Sequence, residues 1–194
     1  MNKIKEIVTE DKVREFNQII KSKIPPLYVE SDFDLCDEKI KKLIYDATSE
    51  SNPLKGLYIY GNCGVGKTYT LFSMYKVFIA NGIQKGTQFI NASSWMAKLR
   101  ENYDDKYLVR ELKDELKNKF ILIIDDLGSD RTTDYATDVL YEVINYRHDY
   151  MLPTFFSSNY SLKELAQKYS DRIASRIAGM CEIIKLEGED QRIK

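Results

Sequence analysis

The segment GNCGVGKTYTL, Gly61 to Leu71, fits the pattern G-x-x-x-x-G-K-[ST]. Gly61, Gly64 and Gly66 let a backbone curl around phosphate with no Cβ in the way. The intervening Asn62, Cys63 and Val65 contribute N–H groups, and a helix N-terminus behind them favours an anion. Lys67 would reach the β- and γ-phosphates of a nucleotide, the Thr68 hydroxyl would ligate Mg²⁺, and Tyr69 completes the binding stretch. Cys63 reads as filler in this loop rather than as a nucleophile. A second cluster, FILIIDDLG, ends an apolar run in Asp125 and Asp126. The first is placed to hold Mg²⁺ through its waters, and the second to orient or deprotonate an attacking water. Such a pair separates hydrolases from many small-molecule kinases, which need no water-activating carboxylate. In PTFFSSNY, Asn159 is the polar residue that could touch that water or the γ-phosphate. In SDRIASRIAG, Arg172 and Arg176 are four apart and share a helix face. A planar, permanent guanidinium suits a γ-phosphate held by a neighbouring subunit.

These residues need elements to carry them. Residues 3–22 have helical apolar spacing (Ile4, Ile7, Val8, Phe16, Ile19, Ile20) and stop at Pro25-Pro26. A second helix is expected from Asp37 to Thr48, then a loop at SESNP. From there strands and helices alternate. Strands are expected at 56–60, 87–92, 120–125, 153–159 and 181–186. The helices run Lys67 to Ala80, from near Trp95 with Ser93 or Ser94 as cap, and Tyr107 to Asn118. Three more run from a Thr132 or Thr133 cap to about Tyr146, Ser161 to Tyr169, and Asp171 to Ala178. Strands apolar on both faces, alternating with helices, mean a parallel α/β sheet.

The chain has 194 residues, 43% hydrophobic and 30% charged, which suits one packed domain with an added arm. A net charge of -1 excludes a polycation, so any contact with nucleic acid needs a local patch. The three cysteines form no C-x-x-C pair and there is one histidine, His148, which argues against a zinc site or a disulfide framework and fits a reducing cytosol. The N-terminal stretch lacks the pattern of a signal peptide, and no apolar run reaches membrane-spanning length.

GLYIYGNCGVGKTYTL, FILIIDDLG, LPTFFSSNYSLKEL, DRIASRI and LEGEDQR, in that order, resemble the AAA+ ATPases. Within them they are similar to bacterial replicative helicase loaders of the DnaC/DnaI type and to the ATPase subunits of IstB-type transposons. The resemblance runs from about Pro25 to the end, and implies an arm at 1–24 and an ATPase domain at 25–194. It implies a five-stranded parallel sheet in the order 5-1-4-3-2, flanked by helices, without a C-terminal helical lid. Lys67 and Thr68 become Walker A residues, Asp125 and Asp126 Walker B, and Asn159 sensor 1. Arg176 becomes an arginine finger acting in trans, with Arg172 beside it, and Arg192 lies near a sensor-2-like position. The family places adenine against IPPLYVESDF, here Tyr28 and Val29. The implied cofactors are ATP or ADP with Mg²⁺. The implied partners are a hexameric replicative helicase, further copies of the chain when ATP is bound, and single-stranded DNA, in the cytoplasm and not at a membrane.

Two departures bear on this. Asp126 stands where many AAA+ proteins have Glu, and its shorter reach implies slow hydrolysis, stimulated by assembly or DNA. Only a short segment precedes the core, where loaders carry a helicase-gripping domain. The segment 95–119 lies where relatives touch single-stranded DNA: Lys98, Arg100, Lys106 and Arg110 for phosphates, Tyr103 or Tyr107 for bases. Glu101, Asp104, Asp105, Glu111, Asp114 and Glu115 are interleaved with them, as in a merely solvated helix pair. The alternatives to a helicase loader are an IstB-like transposition ATPase, a small-molecule P-loop kinase, and a nucleotide-binding adaptor with little hydrolysis.

Overall fold

The computed structural model describes residues 10–48, 54–83, 86–129 and 133–193. Five parallel strands form one sheet: β1 (Gly56–Tyr60), β2 (Thr87–Asn91), β3 (Ile121–Leu127), β4 (Thr154–Ser158) and β5 (Cys181–Lys185), in the order β2-β3-β4-β1-β5. Read from the other edge this is the expected 5-1-4-3-2. The helices are α1 (Glu10–Lys23), α2 (Glu38–Thr48), α3 (Lys67–Ala80), α4 (Ala92–Glu101), α5 (Lys106–Lys117), α6 (Asp134–Asp149), α7 (Leu162–Lys168) and α8 (Asp171–Met180). The first residues of the expected 3–22 helix, and Thr132, lie outside the described residues.

Successive strand residues face opposite sides, and both sides of the central strands β1, β3 and β4 are dry. Leu57, Ile59, Ile121, Ile123 and Phe155 pack under α1, α2 and α3, with Ile20, Ile24, Ile40, Ile44 and Leu71. Tyr58, Leu122, Ile124 and Phe156 pack under the later helices, with Trp95, Leu99, Leu140, Ile144, Ile173 and Ile177. This is why the strands read as continuous apolar runs.

Several element ends differ from the sequence reading by one to three residues, α6 running on to Asp149 and α8 to Met180, and two differences have a clear local reason. Helix α4 starts at Ala92, because the Asn91 side chain at the end of β2 accepts the Ser94 N–H at 3.1 Å. It therefore caps the helix ahead of Ser93 and Ser94. Strand β3 does not end at the first acid but runs through both to Leu127. Its pairing with β4 skips there, from Ile124↔Phe156 to Leu127↔Ser158, which leaves an extra residue on β3. Asp126 lies in this bulge at φ 58, the left-handed region.

Candidate nucleotide site

Strands β1, β3 and β4 lie side by side and end at one rim of the sheet, so residues distant in sequence meet there. The loop after β1 turns through left-handed Gly64 and Gly66 into α3. The buried Lys67 folds back and donates to the carbonyls of Gly61 and Asn62, at 2.8 and 2.7 Å. Burial lowers the pKa of its ammonium. The Val65 side chain packs towards Gly61, so Gly61, Asn62 and Val65 frame the loop rather than line the cleft that it borders.

That cleft has a volume of about 350 Å³. Its floor includes Gly64, Gly66, Lys67 and Thr68, and its far wall Asp126, Ser157 and Asn159. Thr68 donates its hydroxyl to Asp125, 3.0 and 3.2 Å from the two carboxylate oxygens. Asp125 is buried, and desolvation raises its pKa although Ser157 and Thr68 hydrogen bonds pull it down. A hydroxyl and a carboxylate, all oxygen, suit a hard divalent cation. Among the described residues no group of three or more acidic, His or Cys side chains gathers as a metal cage. Such a cation would therefore draw its other oxygens from phosphate and water. Asn159 approaches Asp126, Nδ2 to Oδ1 at 3.4 Å, and the Cys63 thiol lies 3.7 Å from Asn159 Oδ1.

The side wall comes from the segment before α2. Leu27, 80% exposed, and Tyr28 reach the cleft. Tyr28 stacks on Phe72, centroids 4.6 Å apart, and Phe72 on Phe89 at 4.1 Å. Val29 packs on the same apolar cluster around α3 without lining the cleft, and its carbonyl accepts Lys76 Nζ at 2.8 Å. Tyr69, at the cleft edge, tethers this segment: its hydroxyl accepts from Asp32 N–H at 2.9 Å and donates to the Glu30 carbonyl at 3.1 Å. The other wall is the C-terminal stretch. Gln191 N–H donates to the Gly64 carbonyl at 3.0 Å, and Arg192 pairs with Asp190 at 3.1 Å while facing the cleft.

Arg172 and Arg176 share one face of α8, as their spacing predicts, and that face meets α6. Arg176 Nε donates to Asn145 at 2.8 Å, and Arg172 lies 3.9 Å over the Tyr141 ring. Together they lower the pKa of the Tyr141 hydroxyl. Neither lines the chain's own cleft. In the α4–α5 region, Tyr103 and Tyr107 are exposed, Arg110 pairs with Asp114 at 3.4 Å, and Asp105 caps α5.

Sequence reasoning missed Ser157, Leu27 and Gln191. The doubled serine of FFSSN was the one available signal for the first; the other two reach the cleft only through tertiary contacts.

The protein-family model described as the bacterial DnaA ATPase domain matches residues 36–183. The chain belongs to this family of AAA+ ATPases. It is 31% identical over 160 residues to the replicative helicase loader DnaI of Bacillus subtilis (strain 168), an alignment covering 74% of this chain and 50% of that protein. The chain thus spans about half the length of that curated relative. A crystal structure of DnaI superposes with a TM-score of 0.71 at 25% identity, covering 90% of this chain and all of the other. AMPPCP-bound DnaA from Aquifex aeolicus shares the fold, with a TM-score of 0.69 at 19% identity over 88% of this chain and 53% of that one. Among the described residues no helix is long and apolar enough to cross a membrane.

Proposed function

We propose that this chain is an ATP-dependent loader of a replicative helicase, a switch that binds and hydrolyses MgATP. The observation that carries the reading is one cleft joining Thr68 to Asp125 and Asn159 to Asp126, in a chain 31% identical to a replicative helicase loader. The fold shared with an AMPPCP-bound DnaA adds support for a nucleotide in that cleft.

Lys67 leaves its two carbonyls for the β- and γ-phosphate oxygens, and the loop N–H groups receive the rest of the phosphate chain. Thr68 and Asp125 hold Mg²⁺, which when bound neutralises charge developing on the phosphates. Asp126 orients the attacking water and accepts its proton, while Asn159 fixes that carboxylate and the water between them. Leu27 and Tyr28 cover the base. Arg176, outside its own cleft, acts on the nucleotide of an adjoining copy, so hydrolysis needs assembly. ATP at the joint holds the assembly together, a hexameric helicase ring is its cargo, and hydrolysis releases it. Residues 25–194 form the ATPase unit and 1–24 an arm. Exposed Tyr103 and Tyr107 serve single-stranded DNA, with salt-sensitive and sequence-blind binding.

The test is ATPase rate against protein concentration, with and without single-stranded DNA and a hexameric replicative helicase, alongside Arg176→Ala. Superlinear hydrolysis that responds to DNA or helicase and is lost in the variant supports the reading. A linear rate indifferent to all three refutes the switch.

A further inference from the structure

We propose that Ser157 is a positioning residue for both acids of the site, and that its single hydroxyl couples them. The inference rests on the reading above, in which Asp125 serves the metal and Asp126 the water.

The bulge creates the need. Between the pairs Ile124↔Phe156 and Leu127↔Ser158, Asp125 and Asp126 together stand opposite one residue, Ser157. A regular ladder would give the Asp126 N–H a carbonyl of β4; the extra residue takes that partner away. The Ser157 Oγ replaces it, accepting from Asp126 N–H at 2.8 Å. A serine hydroxyl carries one proton and two lone pairs. With a lone pair committed to the Asp126 N–H, the proton points to Asp125 Oδ1, 2.5 Å away. Ser157 is 1% exposed, so water does not compete for either bond.

The two acids depend on this hydroxyl for different reasons. Asp125 receives hydrogen bonds from Thr68 and Ser157. Thr68 can ligate a metal ion through a lone pair while still donating its proton to Asp125, and Ser157 is then the second donor that fixes the orientation of the carboxylate. Among the described residues the Asp126 carboxylate has one side-chain hydrogen bond, the long 3.4 Å approach of Asn159. Its aim is therefore set by its backbone, held at φ 58. Aspartate tolerates the left-handed region better than most residues, but needs a fixed environment to stay there. The Ser157 bond to its N–H supplies that anchor.

The experiment compares wild type with Ser157→Ala, Ser157→Cys and Ser157→Thr, and runs Asp126→Asn in parallel. Readouts are kcat and KM for ATP, the Mg²⁺ concentration at half-maximal rate, affinity for a fluorescent ATP analogue with and without Mg²⁺, and hydrogen exchange of the Asp126 amide in metal-free protein. Ser157→Ala is expected to lose about 10–100-fold in kcat and to need about tenfold more Mg²⁺, the usual scale for residues behind a metal ligand. Its metal-free nucleotide affinity stays within about twofold, and its Asp126 amide exchanges at least about tenfold faster. Thr restores these values, and Cys, a weak donor and weak acceptor, falls between. Wild-type kcat, Mg²⁺ requirement and amide protection in Ser157→Ala would overturn the inference. So would a loss shared equally by metal-free nucleotide binding and unrelieved by Thr and Cys, the mark of general damage. If Asp126→Asn hydrolyses ATP as wild type does, the functional reading itself fails; the metal-free exchange at Asp126 then still decides the role of Ser157.

Discussion

Replacing Arg147 tests how the sheet behind the site is held. Arg147 is fully buried, near the end of α6, and no acid pairs with it among the described residues. Its guanidinium donates to the carbonyls of Leu116 (2.8 Å), Lys119 (2.7 Å) and Pro153 (2.8 Å), and Nε donates to Thr154 Oγ1 (2.8 Å). One side chain thus joins the end of α5, the entry to β3 and the entry to β4. Burial lowers its pKa to about 10, so it stays charged at neutral pH. Arg147→Met keeps an apolar stem and leaves three carbonyls without this donor, at about 1–3 kcal/mol each. Against that, the variant no longer buries a charge, which offsets several kcal/mol. The net loss is about 2–4 kcal/mol, a fall in Tm of about 5–15 °C for a chain of this size. Arg147→Lys, a point charge with a shorter reach, should recover less than half of it. Thermal melts followed by circular dichroism measure both. The nucleotide cleft lies at the other end of these strands, so ATP affinity below the melt should change by less than about twofold. A Met variant melting within about 2 °C of wild type would refute the clamp: the unsatisfied carbonyls would then cost no more than the buried charge.

Three further outcomes are expected. Glu142 bridges Lys113 (2.8 Å) and Lys117 (2.5 Å), and its pKa is lowered although burial opposes this. Its folded value lies below its unfolded one, so its stabilisation is present above the unfolded pKa and lost as pH falls through the folded one. Glu142→Gln should therefore cost about 0.5–1.5 kcal/mol near neutrality, with Glu142 itself half-exposed, and progressively less as pH falls below the ordinary carboxylate range or as salt is raised to ~1 M, read by melts across pH. In Gly64→Ala the new Cβ would lie 1.9 Å from Asp190 Oδ1, at φ +78. Nucleotide affinity should fall about tenfold or more by titration calorimetry, with partial recovery in Gly64→Ala/Asp190→Ala, because the strain remains when the clash is gone. Asp126→Asn should hold ATP within about threefold of wild type while losing at least about 100-fold in hydrolysis, and its Tm should move by less than about 2 °C, because Asn accepts the left-handed backbone.

How much of this the residues announce depends on whether the signal is local. Helix α3 spans Lys67–Ala80 as expected, because the glycine loop that starts it stands in the residues just before it. The sheet order followed from the resemblance rather than from any one strand. The bulge at Asp126 was invisible: two acids after FILII look like a strand end, and only the pairing with β4 shows the strand continuing. Arg147, in NYRHDY, looks like a favourable cation in the last helical turn. Three of its four short hydrogen bonds go to main-chain carbonyls, which have no residue-type signature. Val29 was grouped with Tyr28 as neighbours in a loop; both pack on the apolar cluster around α3, but of the two only Tyr28 also lines the cleft.

The misses share a physical cause, and it bears on how the site works. Strands β3 and β4 carry Asp125, Asp126 and Asn159 at or just beyond one end, and this strand pair is pinned at both ends by a polar side chain bonded to main chain. At the entry, Arg147 gathers carbonyls that flank the ladder; at the exit, Ser157 takes the N–H that the bulge frees. Between them the ladder is apolar and regular, and an apolar ladder alone resists a one-residue slip only through which face each side chain takes. Fixing both ends removes that freedom, so the extra residue of β3 has nowhere to migrate and stays at Asp126. The second acid is then aimed by backbone pairing as well as by its side chain. Slow hydrolysis expected from the short side chain alone is, on this geometry, a question of whether the bulge holds.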